Sequence, residues 1–452
     1  MKYILNTVIC GSVLAVSLLN GCAGPAPIGR ESLSAVEPRY RPAGQKPELP
    51  VLNQDSPLSD FIIYAVLNNP EAEAAFYDWK KTVEEIMIAQ SLPDPKLTLS
   101  SEIMSSVEKF LVGFMQDIPA AGKLALEAEV FSLEAQKKRY LFEHQLLETI
   151  FNVKQAYYEY YLLQEKIRLA KEIISLIETQ EKSIRANFET GSGMTEELVM
   201  VQSEQAMLHN ELVNLEDSLK PLMARWRKAL GVAPNEPEGT ASSESQPPMP
   251  NEAFTEHILP PETDLLNELL KHNLHLKALS AEVRQAQVMV ERSYKERNPD
   301  WSVGVGTDAK KDKLNWMPEV SMTLPIWRQK IAAQIASAQA NEKQAKAMLS
   351  ADQINLAVVL AEKSFAWREL QRQSRLIREK LMPLAEAKLN SIDASFKTGR
   401  IRFTDWFNAR RELLELKTQL AVVNAQREIV FADISLIALC TSVGETSKLF
   451  NK

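Results

Sequence analysis

Between Gly122 and Lys220 the sequence holds no proline, and after Gly122 its only glycines are Gly191 and Gly193. Proline breaks a helix and glycine loosens one, so this stretch predicts two long helices meeting near Gly191. At 1.5 Å per residue the first arm, Lys123 to Thr190, would be about 100 Å long. The second arm repeats apolar residues by steps of three and four through Leu198, Val201, Leu208, Leu212, Leu215, Leu219 and Leu222, with one polar Gln205 in the row. That is a coiled-coil seam. Leu146, Ile150, Val153, Tyr157 and Tyr160 give the first arm the same spacing. A hairpin of this length predicts a rod whose function follows from its reach.

The pattern returns between Ile331 and Ala438. Leu356, Leu360, Trp367, Leu370, Ile377, Leu381 and Leu384 run one way, with polar Lys363 and Ser374 among them. Leu416, Leu420, Val423, Val430, Ile434 and Ile437 run back, with Arg427 among them. Pro383 should kink the first of these arms, a feature without a counterpart in the first copy. The turns match as Phe188-Glu-Thr-Gly191 and Phe396-Lys-Thr-Gly399, an offset of 208 (399 − 191). Pro95 and Pro299, and Asn69 and Asn273, share an offset of 204 (299 − 95). A near-constant offset at separate places, in one order of elements, points to tandem duplication.

Each copy also carries two segments of period two. Leu97, Leu99 and Ile103 alternate with Lys96, Thr98, Ser100 and Glu102. Phe110, Val112, Phe114 and Ile118 alternate with Leu111, Gly113, Met115 and Asp117. Trp301, Val303 and Val305 oppose Ser302, Gly304, Gly306 and Asp308, and Trp316, Val320, Met322 and Leu324 oppose Met317, Glu319, Ser321 and Thr323. Four strands of about nine residues, apolar on one face and polar on the other, suit a membrane span. A half-buried soluble sheet would alternate in the same way. Four strands cannot close a barrel, and an open edge is not tolerated in lipid, so spanning strands require several chains. Three chains would supply twelve.

Charge and cysteine content narrow the function class. Formal net charge is −7, with no basic tract beyond a few residues, so nucleic-acid binding has no support. Residues 1–21 read as a signal peptide, with Lys2 ahead of an apolar run from Ile4 to Leu19. The run ends in Leu19-Asn20-Gly21-Cys22, which resembles a bacterial lipoprotein signal and makes Cys22 the expected lipidated residue, with palmitate among its acyl groups. Ala23 follows, with no aspartate to suggest inner-membrane retention. Of three cysteines, Cys10 would leave with the signal and Cys440 sits in an apolar run as core filler. Five histidines include His272 and His275 at i, i+3. No cysteine or acidic partner completes a site there, so no metal, cofactor or catalytic site is expected.

The domain expectations follow from these features. Residues 22–57, rich in proline, form an extended anchored arm. Residues 58–230 are the first repeat, with a β-hairpin at 96–118 and a helical hairpin at 120–230. Residues 231–261 are a Pro/Ser-rich linker around the middle of the rod. Residues 262–441 are the second repeat, with a β-hairpin at 300–325 and a helical hairpin at 327–441, before a tail at 442–452. The fold class is mainly α with a small β part and an internal repeat.

The order of these parts, with Gln116-Asp-Ile-Pro119 and Gly122-Lys123 leading into the rod, Leu324-Pro325 in the second copy and two Phe-x-Thr-Gly turns, resembles the TolC-type outer-membrane efflux factors from about Leu58 to Cys440. The resemblance implies a homotrimer: a shared 12-stranded β-barrel in the outer membrane, continued by a periplasmic α-barrel of helical hairpins. It implies a passive duct, not an enzyme. The partners would be outer-membrane lipid, a periplasmic adaptor and an inner-membrane transporter, of the RND class among others. Gly191 and Gly399, with Thr190 and Thr398, would form the adaptor-contacting tip. Asp405 and its first-copy counterpart Glu197 would line the closed periplasmic gate, while Asn408 stands where the family has a second aspartate. An ordinary surface carboxylate is the alternative for Asp405. A periplasmic adaptor would need one hairpin flanked by β-rich domains, and a structural coiled-coil tether would not need the strands.

Overall fold

The computed structural model describes residues 28–53, 56–104, 107–189, 195–233, 247, 257–310, 313–397, 400–401 and 403–438, and not the side chains of 28–29, 100–111, 187, 197, 308–315, 397 and 403. In chain order the helices are α1 (Ile28–Tyr40), α2 (Leu58–Asn68) and α3 (Pro70–Gln90), followed by strands β1 (Lys96–Met104) and β2 (Val107–Ile118). Then come α4 (Lys123–Glu189), α5 (Thr195–Asp217), α6 (Leu219–Leu230), α7 (Glu262–His272) and α8 (Leu274–Lys295). Strands β3 (Trp301–Lys310) and β4 (Lys313–Met322) precede α9 (Arg328–Leu376), a π-helical turn at Ile377–Leu381, α10 (Met382–Lys397) and α11 (Phe403–Ile437). None of the described helices is long and apolar enough to cross a membrane.

Three departures from the sequence reading concern the helices. The span 22–57, expected to be extended, contains the 13-residue helix α1. Its one proline, Pro38, falls in the last turn, where little helix remains to disrupt, and Leu33 and Tyr40 are buried. The return arm, expected as one helix, divides between α5 and α6 at Ser218. Pro221 lies four residues after Asp217 and offers no N–H to its carbonyl, so the ladder stops there. Pro383 acts likewise on Glu379, and the result is the π turn, not a simple kink. The 67-residue α4 contains no proline and runs uninterrupted.

The chain divides into two compact units. One takes the N-terminal segment to Gln45, Ala75–Phe142 and His275–Asp352; the other takes Lys46–Ala74, Glu143–Leu274 and the chain from Gln353. The first unit holds the sheet, in strand order β1-β2-β3-β4 with every neighbour antiparallel. Its helical part centres on Tyr40, Phe76, Trp79 and Phe142, with ring centroids 5.1–6.1 Å apart. Aromatic pairs at such spacing add about 0.5–1.5 kcal/mol each beyond burial. Lys80 pairs with Glu37 of α1, and this hydrogen bond holds the ammonium pKa above the usual lysine range.

In the second unit, Phe61, Tyr64, Val153, Tyr157, Trp226 and Leu230 form one core. Gly231 ends α6 at φ 73°, and Val232 N–H reaches Arg227 O at 3.0 Å, closing a left-handed cap that only glycine enters without strain. Asn68 Nδ2 donates to Leu230 O at 3.2 Å and Gly231 O at 3.1 Å. A parallel bond joins Asn273 Nδ2 to Ile437 O at 2.9 Å. Both α2 and α7 are 11 residues long and end before an asparagine with extended backbone, Asn69 and Asn273.

Candidate functional site

The sheet sorts its side chains by chemistry. Direct partners across antiparallel strands share a face. Leu97 pairs with Phe114, Phe114 with Val305, Ile118 with Trp301, Trp301 with Met322, and Val303 with Val320. All of these are exposed, as are Leu99, Val112 and Trp316. The sequence alternation is therefore one continuous apolar face open to the surroundings. A patch this broad marks a lipid or protein contact.

The opposite face is polar and built on glycine. Gly113 pairs with Gly306, and Met115 with Gly304. A Cβ on Gly113 would stand 2.4 Å from Thr98 Oγ1, and one on Gly304 2.7 Å from Phe114 O. Side chains are crowded there, as on the inside of a curling sheet. Lys96 Nζ meets Asp117 Oδ2 at 2.7 Å, and Ser302 Oγ donates to Asp117 Oδ1 at 2.6 Å. Among the described residues β1 and β4 have no strand beyond them, so two edges are open.

A polar knot joins this sheet to the helices. Lys123, the first residue of α4, is buried and contacts Asp300 at 3.0 Å and Glu296 at 3.3 Å. Asp300 Oδ1 accepts the Ala120 N–H at 2.7 Å, and Asp300 N–H donates to Thr323 Oγ1 at 2.8 Å. The ends of β2 and β4 and the starts of α4 and β3 are thereby fixed together.

The second candidate region surrounds the predicted gate. Thr190, Gly191, Thr398 and Gly399, like Cys22 and Cys440, lie outside the described residues, and of Glu197 only the backbone in the first turn of α5 is described. Asp405 is exposed in the first turn of α11, where the helix dipole favours a carboxylate. With Thr404 and Asn408 it lines an open groove of 790 Å³ shared with Gln180, Ile184, Met200 and Glu204. The structure thus places Asp405 beside α5.

Residues that the sequence reading passed over hold this region together. Phe407 is buried among Ile177, Ile184 and Val201, joining α11 to α4 and α5. Arg411 pairs with Glu204, and Arg410 approaches Glu172 at 3.6 Å. Trp406 stacks on Phe396 at 5.7 Å and donates to Asp393 at 3.2 Å, tying α10 to α11. The adjacent aromatics after the turn, Trp406-Phe407, were the available signal. Gln180 is 4% exposed beside this cluster, and its Oε1 has no partner among the described residues, a cost of about 1–3 kcal/mol. Arg185 and Gln202 hydrogen-bond Glu181 and hold its carboxyl pKa below the usual range.

Further along α11, Glu428 is 3% exposed. Arg427 Nη2 donates to it at 2.8 Å, and His257 Nε2 lies 3.1 Å away with its ring stacked on Phe431 at 3.9 Å. Tyr158 is pushed above the ordinary tyrosine range by burial first and by Glu428 second. The two histidines singled out in sequence have separate partners: His272 with Glu268 at 3.7 Å, and His275 with Asp352 at 3.0 Å. No group of three metal-ligating side chains occurs among the described residues.

Solved membrane proteins share this fold. The chain is similar to a membrane protein from Pseudomonas aeruginosa (TM-score 0.74, 14% identity, covering 86% of this chain and 91% of that one). It is also similar to the CmeC outer membrane channel of Campylobacter jejuni (0.70, 12%, 92% and 95%) and the outer membrane protein VceC of Vibrio cholerae (0.68, 16%, 84% and 95%). No curated protein matches the sequence. Residues 265–441 match the family described as outer membrane efflux protein, and over most of its length the chain shares the fold of these solved membrane proteins.

Proposed function

We propose that three copies of this chain form a passive outer-membrane duct for efflux, with no catalytic step. The observation that carries the reading is the four-stranded sheet, with one exposed apolar face, one polar face and two open edges. In lipid such edges must be paired, and β4 of one copy beside β1 of the next closes a 12-stranded barrel. Exposed apolar residues on α5 (Val199, Met200, Met207) and on α9 (Ile354, Val358, Phe365) supply apolar stripes for the same association. The matching α2/α7 and α3/α8 pairs, each pair leading into a strand hairpin, fit a tandem duplication.

In this reading the helical hairpins continue the barrel as a periplasmic α-barrel. Cys22 carries the lipid anchor in the outer membrane. Thr190, Gly191, Thr398 and Gly399 meet a periplasmic adaptor, and an inner-membrane transporter selects and drives the cargo. Asp405 and Glu197 line the gate, where three like charges around one axis would repel or hold a cation. The Phe407 contact and the Arg411–Glu204 pair keep the second hairpin against the first. Gly399→Trp is expected to abolish export in cells, with trimers still recovered from the membrane. Wild-type export by that variant would remove the tip assignment.

A further inference from the structure

Helix α1 lies antiparallel on α3. Tyr40 meets Phe76 with ring centroids 5.2 Å apart, Glu37 pairs with Lys80, and Arg30 Nη2 lies 3.5 Å from Glu84 Oε2. Phe76, Lys80 and Glu84 are spaced by four and form one row along α3. The start of α1 therefore points toward the C-terminal end of α3, from which the chain enters β1 at Lys96.

The row continues beyond Glu84. Ile88 is next, then Leu92 just past the helix end, with Met87 alongside. All three are exposed, Ile88 at 73%. No charged residue occurs from Ile86 to Pro93, so an uncharged apolar surface begins where the cover of α1 ends. The segment that precedes α1 is Cys22-Ala-Gly-Pro-Ala-Pro27, which also carries no charge. Six residues span up to about 20 Å. Ile88 and Leu92 stand about one and two helical turns past Glu84, or roughly 5 and 11 Å. Residues 22–27 are thus long enough to cross both.

We propose that Met87, Ile88 and Leu92 are the seat of the lipidated N-terminus. Residues 22–27 of the same chain cross them, and the first methylenes of the acyl chains on Cys22 pack against Ile88 and Leu92. The inference rests on the reading of Cys22 as the lipidated residue. Hydrocarbon leaving the polypeptide is shielded from water there, because apolar area on both partners is buried together. The seat also fixes the anchor beside the start of β1, the level at which the exposed apolar face of the sheet begins. A single acyl chain alone holds a protein to a bilayer only marginally and reversibly, and a seat on α3 gives the anchor a defined place.

The test is photo-crosslinking of the full-length chain with p-benzoylphenylalanine in place of Leu92, in cells supplied with alkyne-tagged palmitate. After illumination, extraction from the outer membrane and trypsin, the expected product joins peptide 82–96 to the acylated peptide 22–30. Adding Ile88→Glu is expected to lower its yield about tenfold, since a carboxylate replaces the most exposed apolar side chain of the seat. The mass of the N-terminal peptide is read from the same digest. If it is acylated, the absence of that product overturns the proposal. So do products joining 82–96 only to free phospholipid or to another part of the chain, and so does an unchanged yield with Ile88→Glu. An N-terminus without an acyl group overturns the anchor reading instead.

Discussion

Glu428→Leu is expected to destabilise the C-terminal third of α11 by roughly 3–5 kcal/mol, the usual consequence of removing one member of a buried ion pair. Glu428 and Arg427 are 3% and 5% exposed and bonded at 2.8 Å. Leucine would leave the guanidinium buried without its carboxylate and would release His257. Hydrogen exchange should report this as a loss of amide protection of two decades or more in α11 around Glu428, at about 1.4 kcal/mol per decade. The double variant Arg427→Met/Glu428→Leu should recover most of the loss, because replacing both charges removes the desolvation cost as well. A single variant within 1 kcal/mol of wild type, on the same scale, would mean that water reaches the pair. This prediction concerns how the linker is held, since His257 is the described linker residue bonded to the pair.

Gly231→Ala should be nearly as costly, at about 3 kcal/mol. A left-handed backbone costs a residue with a Cβ roughly 1–2 kcal/mol. The added carbon would also stand 2.8 Å from Asn69 Cα and 2.9 Å from Asn68 O, both backbone atoms that cannot swing aside. Moving them pulls Asn68 away from the Leu230 and Gly231 carbonyls, at about 1 kcal/mol for each bond lost. Faster exchange of amides in both α2 and α6 is expected, as the clamp joins them. Exchange confined to α6 would show that the asparagine bridge bears little of the load.

The strands were legible because a period of two, once paired in register, fixes the face of every side chain. Leu97, Phe114, Trp301 and Val320 needed no tertiary information. The start of α4 was legible for a similar reason: Gly122 acts locally. What escaped depended on distance along the chain. Leu33 and Tyr40 of α1 gain their helix by burial, Tyr40 in contact with Phe76 and Phe142, against a proline-rich composition that reads as extended. Arg427 stood out as a polar residue in an apolar seam, but the linker's His257, 171 positions from Glu428, could not be assigned to the same cluster from spacing. Pro383 announced an interruption without saying that a wider turn would absorb it. At the proposed gate, Asp405 came from resemblance, while the Phe407 contact that fixes it beside α5 became visible only in three dimensions.

In the proposed duct the open sheet is one third of a closed barrel. The most direct measurement is the native mass of the full-length protein extracted intact from outer membranes, with disulfide trapping between single cysteines placed on β1 and β4. Three chains per particle, with trapping only between different chains, is the predicted result. A single chain recovered from the soluble fraction, with no intermolecular trapping, would contradict the account.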